Sequence, residues 1–210
     1  MTVIAKYTPA SIEQAIAYLQ RGEVVAVPTE TVYGLVADAT SEEAVTHFYN
    51  VKGRAAGKPS QILVSGLEVA EAIATFPAGA AALAKCFWPG ALTLVIPAKA
   101  GSKLAESAMA ENGTIGIRVP AHEIPLALLK RWRRPVIASS ANRAGEPVLE
   151  GAGAIAHVFQ DTVGLVIADE VQHTTAPAST VVDATGTVPV ILRQGAIDAE
   201  TIRKVWSAVS

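Results

Sequence analysis

The sequence predicts an α/β domain in which a mixed, twisted sheet is flanked by helices. Three observations carry that expectation. Short apolar runs recur along the chain, stretches with one apolar helical face lie between some of them, and other runs follow one another with no helical stretch between. Parallel pairing requires crossovers, whereas runs joined directly pair antiparallel, so one sheet should contain both. Half of the 210 residues are hydrophobic and 17% are charged. That is enough apolar material for a sizeable core and too much for bulk disorder. With no internal repeat and no linker, a single domain over 1–210 is expected.

The first helix is predicted over 11–21, where Ile12, Ala15, Ile16 and Leu19 share one face, Ser11 and Gln14 have capping-box spacing, and Gly22 is the stop. The apolar run 24–27, ending at Pro28, reads as a strand buried on both faces. The TETVYGL segment then reads as a loop, and Thr40 with Glu43 opens a helix running to Lys52. Further strands are expected at 62–64, 92–96, 115–119, 136–138, 165–167, 180–182 and 188–192, with helices at 68–75, 79–87, 124–132, 154–159 and 198–206.

Several functional classes are disfavoured. Met1 opens a polar segment without the basic flank and apolar core of a signal peptide, and no stretch approaches the roughly 20 apolar residues of a membrane span. A soluble, cytoplasmic protein without a membrane partner is the expectation. The lone Cys86 reads as a core residue in a reducing compartment. The net charge of -2 gives no global pull toward a polyanion. Arg131, Arg133 and Arg134 read as cations at the negative end of a helix rather than as an RNA footprint. Neither GxxxxGKS/T nor GxGxxG occurs, His47, His122, His157 and His173 lack metal-ligand spacing, and there is no GxSxG elbow.

The sharper signal is a repeated design in which an apolar strand ends in hydroxyl, amide or guanidinium groups. It occurs at Pro28 to Gly34, at Lys52, Arg54 and Lys58, at Thr114 to Arg118, at Ser139 to Asn142, and at Ser179 and Thr180 with Arg193. Singly, each group has an ordinary explanation: a turn, a solvated helix end, a cap or an edge residue. An arginine on a buried strand needs a paired charge, so Arg118 and Arg193 imply either internal carboxylates or an anionic ligand.

These segments, PTETVYGL, KGR followed by KP, WPGALTLVIPA, TIGIRVP, SSAN, STVVD and ILRQGAI, resemble in order the motif set of the YrdC/TsaC threonylcarbamoyl-AMP synthases, from Ser11 to Ile197. The resemblance implies a YrdC-like fold: a twisted, mixed open sheet flanked by helices around a concave, cationic cavity. It implies the short, single-domain type and an enzyme that converts L-threonine, bicarbonate or CO2, and ATP with Mg2+ into threonylcarbamoyl-AMP and diphosphate. A downstream tRNA threonylcarbamoyl transferase is the implied partner, with a weak RNA contact besides. Carried over residue by residue, Thr31, Arg118, Ala138 and Ser179 would bind threonine, Arg118 by its carboxylate. Arg54, Lys58, Thr114, Ser140, Asn142 and Arg193 would bind the nucleotide, and Lys52 and Arg54 would act as catalytic cations.

The loop from Arg54 to Ser60 departs from the common KxRPxxNPL, Leu63 stands where many members have a histidine, and Val148 stands where a polar nucleotide contact is common. The rival readings are a paralogue with altered carbamoyl-adenylate chemistry and a non-catalytic RNA-binding module.

Overall fold

The strands sort their side chains by parity, and helices cover the two faces unequally. The computed structural model describes residues 1–53, 60–169 and 177–209. Ten strands, β1 (Val3–Lys6), β2 (Val24–Val27), β3 (Gly34–Asp38), β4 (Gln61–Leu63), β5 (Leu92–Pro97), β6 (Thr114–Arg118), β7 (Val136–Ser140), β8 (Val163–Ala168), β9 (Thr180–Asp183) and β10 (Val190–Arg193), form one sheet. Their order is β1-β8-β2-β3-β7-β4-β6-β5-β9-β10. Around it lie α1 (Pro9–Gln20), α2 (Glu42–Lys52), α3 (Leu67–Ile73), α4 (Ala78–Phe87), α5 (Glu123–Trp132), α6 (Gly151–Val158) and α7 (Ala199–Ser207), with a short 3-10 turn at Glu106–Ala108.

The sheet is mixed, as the alternation of direct and helical connections predicts. β4 pairs parallel with β6 and β5 parallel with β9, whereas β2 with β3, β4 with β7 and β5 with β6 are antiparallel. On one face Ile62, Leu92, Leu94, Ile115, Ile117 and Ile137 join the main core, where Phe48, Leu83, Ile155 and Trp206 pack from the helices. On the other face Val25, Val36, Leu63, Val136 and Leu165 pack beneath Ile12, Ile16 and Leu19 of α1 and Ile124, Leu128 and Trp132 of α5. Among the described residues no other helix contributes to this second cluster. Beyond Leu63, the start of β4 and the strands β6, β5 and β9 therefore keep part of that face uncovered, and a cavity forms there.

Several boundaries differ from expectation. β1 and β3 are not among the strands that the sequence predicts. All five residues of β3 are buried, but they directly follow the polar loop with no separate turn signal. The capping box of α1 is built from Thr8 and Ser11: Ser11 N–H donates to Thr8 Oγ1 at 3.1 Å and Thr8 N–H to Ser11 Oγ at 3.0 Å. α2 is capped by Ser41 rather than Thr40, whose hydroxyl donates to Asp38 instead. Cys86 is exposed, not core, because the buried positions of α4 are Gly79, Ala80, Leu83 and Ala84. The basic cluster is engaged locally: Arg131 pairs with Glu13 and Arg134 with Asp38, while Arg133 is the C-cap of α5.

Candidate active site

Parity along four strands sets the floor of a cavity of about 450 Å³. On β6, Ile115 and Ile117 enter the core, so Thr114, Gly116 and Arg118 face the opposite way. By the same alternation β5 presents Thr93 and Val95, β4 presents Gln61, and β9 with its preceding residue presents Val181 and Ser179. Thr31, from the loop between β2 and β3, and Ala138 and Ser140, from β7, close one side. Arg193 closes the other.

Arg118 is 2% exposed. Its Nε donates to Gly90 O at 3.0 Å, and its Nη2 lies 2.6 Å from Glu30 Oε1, a charge contact without hydrogen-bond geometry. Glu30 Oε1 is held in place by the Ala121 N–H at 2.9 Å. The sequence left open whether Arg118 answers to an internal carboxylate or an anionic ligand, and the structure supplies the carboxylate. Arg193 is different. Its Nε and Nη2 donate to Ser179 O at 3.1 and 2.8 Å, and Nη2 also donates to Ser179 Oγ at 2.9 Å. Loss of water, and secondarily the Arg118 guanidinium, hold its pKa below the ordinary guanidinium value. Two like charges thus face one space whose described lining contains no carboxylate.

Hydroxyl polarity in the loop can be worked out atom by atom. Thr29 Oγ1 donates to Val32 O at 2.6 Å and accepts the Thr31 and Val32 N–H groups, each at 3.2 Å. Its single proton is spent, so in the 3.0 Å contact with Thr31 Oγ1 the donor is Thr31. Thr31 therefore offers only lone pairs to the cavity, which suits a ligand N–H. Ser140 Oγ likewise donates to Asn142 Oδ1 at 2.6 Å and keeps acceptor capacity.

Of the residues expected to form the site, Thr31, Thr114, Arg118, Ala138, Ser140, Ser179 and Arg193 line this one cavity. Lys52 and Asn142 are placed behind it. Lys52 is 2% exposed, and its ammonium donates to Ser140 O at 2.6 Å, to Asn142 Oδ1 at 3.0 Å and to Asn142 O. Asn142 Nδ2 donates to Glu146 O. Both side chains shape the loop that carries Ser140. Arg54 and Lys58 lie outside the described residues. Leu63 is 2% exposed in the core under α1 and α5, whereas Val148 lines the cavity.

Sequence reasoning gave no role to Ser60, Gln61, Thr93 or Gly116, all of which line the cavity. Thr93 and Gly116 had a readable signal, since each interrupts an apolar strand at the parity that faces away from the core. A second depression, of about 550 Å³, lies among Arg21, Glu42, His47 and Asn50 and contains none of the motif residues. Among the described residues no cluster of three His, Cys, Asp or Glu could hold a metal ion, and no helix is long and apolar enough to cross a membrane.

A mixed α/β fold whose strand ends converge on one polar cavity, with motifs in a fixed order, defines a single-sheet ligand-binding class. Residues 17–195 match the Sua5/YciO/YrdC family, described as telomere recombination. The chain belongs to the Sua5/YciO/YrdC family. It is 40% identical over 196 residues to threonylcarbamoyl-AMP synthase of Pyrococcus abyssi (strain GE5 / Orsay) and 38% identical over 195 residues to that of Bacillus subtilis (strain 168). In both cases 92% of this chain is covered, and the chain spans 56% of the length of these relatives. The structure of P. abyssi Sua5 complexed with L-threonine superposes with a TM-score of 0.88 at 37% identity, covering 98% of this chain and 60% of that one.

Proposed function

We propose that the chain is an L-threonylcarbamoyladenylate synthase. The observation that carries this reading is the convergence of Thr31, Thr114, Arg118, Ala138, Ser140, Ser179 and Arg193 on one cavity with two guanidinium groups and no carboxylate among its described lining residues. The names of the relatives, and the threonine held by P. abyssi Sua5, point the same way.

The threonine amine adds to CO2, or to bicarbonate with loss of water, to give a carbamate. A carbamate oxygen then attacks the α-phosphorus of ATP, and the bond to the bridging oxygen breaks to release diphosphate. No protein nucleophile is required, so the chain's contribution is alignment and charge compensation. Arg118 binds the amino-acid carboxylate, to which a planar guanidinium is matched. Thr31 accepts an N–H of the amino acid, Ser179 adjoins it, and Thr114 and Ser140 contact the nucleotide. Arg193, with Arg54 and Lys58, offsets phosphate charge. Lys52 and Asn142 act by holding the Ser140 loop. The described cavity offers no carboxylate for a resident cation, so Mg2+ belongs to the substrate as MgATP. These substrates suit a cytoplasmic reaction, and the family resemblance implies a downstream transferase that moves the threonylcarbamoyl group to tRNA with release of AMP.

The test is diphosphate release from MgATP and bicarbonate with each standard amino acid in turn, for wild type and Arg118→Ala. Release that requires both threonine and bicarbonate, and that the substitution abolishes, supports the synthase. Release without either co-substrate, or none at all, overturns it.

A further inference from the structure

The cavity floor holds a directional relay of hydrogen bonds that ends in an unused donor. Arg193 Nη2 donates to Ser179 Oγ at 2.9 Å, Ser179 Oγ is 3.0 Å from Thr93 Oγ1, and Thr93 Oγ1 is 3.1 Å from Gln61 Oε1. A carbonyl oxygen only accepts, so the Thr93 proton goes to Gln61 and the Ser179 proton must go to Thr93. The reverse polarity would turn the Gln61 amide around. It would send two donors into Ser179 and leave its O–H, in a residue 2% exposed, with no acceptor among the described residues. The relay therefore runs from Arg193 to Gln61 and fixes the amide orientation. Gln61 Nε2 then has two N–H groups and no hydrogen-bond partner among the described residues.

The register says where those N–H groups are. Gln61 pairs with Ala138 on one side and Gly116 on the other, and Gly116 pairs with Val95. In this row of four, Gln61 carries the one hydrogen-bonding side chain, and Gly116 beside it has no side chain to cover it. One row away on the same face is Arg118, across from Leu63, and one row away in the other direction is Thr114, across from Pro97. Just before it in the chain, Ser60 is 6% exposed, lines the same cavity and has an Oγ without a hydrogen-bond partner among the described residues. Ser60 Oγ is buried and the half-buried Gln61 amide opens onto the cavity, so two adjacent polar groups at the cavity floor are placed to meet a ligand.

We propose that Gln61 is a substrate-contacting residue whose amide N–H donates to an acceptor oxygen at the junction between the amino-acid end and the nucleotide end of the ligand. Resting on the synthase reading, that acceptor is the carbamate oxygen, the group that exists only when amino acid and CO2 have combined. Gln61 thus discriminates the carbamate from the free amino acid, whose ammonium would meet the amide donor unfavourably.

Two substitutions separate this role from a merely structural one. Gln61→Glu keeps an oxygen to accept from Thr93 but removes both N–H donors, whereas Gln61→Leu removes donor and acceptor together. Steady-state diphosphate release should fall at least tenfold in kcat/KM for bicarbonate in both variants. The Gln61→Glu deficit should shrink as pH is lowered toward the roughly 4–5 range in which a carboxyl regains an O–H. Its melting temperature should match wild type. A fully active Gln61→Glu with an impaired Gln61→Leu would reduce Gln61 to a prop for Thr93 and overturn the inference while leaving the synthase reading intact. Wild-type activity in both variants overturns it as well. Absence of threonine- and bicarbonate-dependent release in the wild type sinks the synthase reading and this inference together.

Discussion

Arg118 Nη2 and Glu30 Oε1 lie 2.6 Å apart, with the arginine side chain 3% and the glutamate side chain 21% exposed. The pair is asymmetric, since the Glu30 side chain is the more exposed of the two and accepts the Ala121 N–H, whereas among the described residues Arg118 makes one further contact, to Gly90 O. Removing the carboxylate therefore strands a buried cation, the costlier half of a broken pair. Glu30→Gln should cost about 3–5 kcal/mol in chemical denaturation, more than the apolar replacement Arg118→Met. Because the stranded guanidinium faces the cavity, L-threonine should raise the melting temperature of Glu30→Gln by more than it raises that of wild type. An equal rise would mean that Arg118 does not feel the bound anion.

Gly116 sits at the centre of the floor, where an added Cβ would meet Thr93 Cγ2 at 3.4 Å and Val95 Cγ2 at 3.9 Å. That is ordinary contact, so a β-branched side chain can be built there and fits strand geometry. Its outer methyls would then occupy ligand space. Gly116→Val should fold with a stability within about 1 kcal/mol of wild type, yet lose at least tenfold in ATP affinity by calorimetry. A stable variant with undiminished affinity would place the ligand elsewhere in the cavity.

Much of this cavity was legible from parity alone. Ile115 and Ile117 in the core oblige Arg118 and Thr114 to face outward together, and Ser179, Arg193, Thr31 and Ser140 were visible as polar breaks beside apolar runs. What could not be read was long-range pairing. That Glu30 meets Arg118 across 88 positions of chain, or that Lys52 reaches beneath Ser140, depends on β7 lying beside β3 and β4, an order that periodicity does not encode. β3 escaped notice for a local reason, since its five buried residues directly follow a polar loop. Cys86 was misread because an alanine-rich helix offers several faces that look equally apolar in sequence.

The Lys52 ammonium, 2% exposed, ties together the carbonyls of Ser140 and Asn142 and the Asn142 side chain. Replacing it with methionine keeps the stem's volume but leaves buried acceptors unmet, at about 1–3 kcal/mol. Lys52→Met should destabilise by that order and raise KM for ATP more than it lowers kcat, because the lost contacts position Ser140 rather than touch the reacting atoms. A pure kcat loss at wild-type stability would instead restore the catalytic role that the family resemblance implies.

Asp198 caps α7, with Oδ1 accepting the Thr201 N–H at 2.8 Å and Oδ2 accepting its hydroxyl at 2.6 Å. These bonds, the hydroxyl's first, hold its pKa below the ordinary 3.8. A folded-state pKa that is depressed stabilises the fold above the unfolded value, and this contribution disappears as pH falls through the folded one. Asparagine caps helices about as well as aspartate, so Asp198→Asn removes chiefly the charge. Wild type should melt above Asp198→Asn at pH 7, and the gap should close only below the ordinary carboxylate range. A gap that persists unchanged to pH 2 would rule out the carboxylate's charge as its source.

Gly79, in the first turn of α4, decides between two opposed effects. Alanine there would gain up to about 1 kcal/mol of helix propensity. Its Cβ, however, would fall 2.4 Å from the Trp206 ring atoms Cδ2 and Cε2. Trp206 is 5% exposed and its indole N–H donates to Thr187 O at 3.1 Å, so the ring cannot swing away without losing that bond and its packing. Overpacking of this kind costs roughly 1–3 kcal/mol, which exceeds the propensity gain. Gly79→Ala should therefore destabilise, and pairing it with Trp206→Leu should recover part of the loss in a double-mutant cycle. Simple additivity would show that α4 and α7 do not meet through this contact.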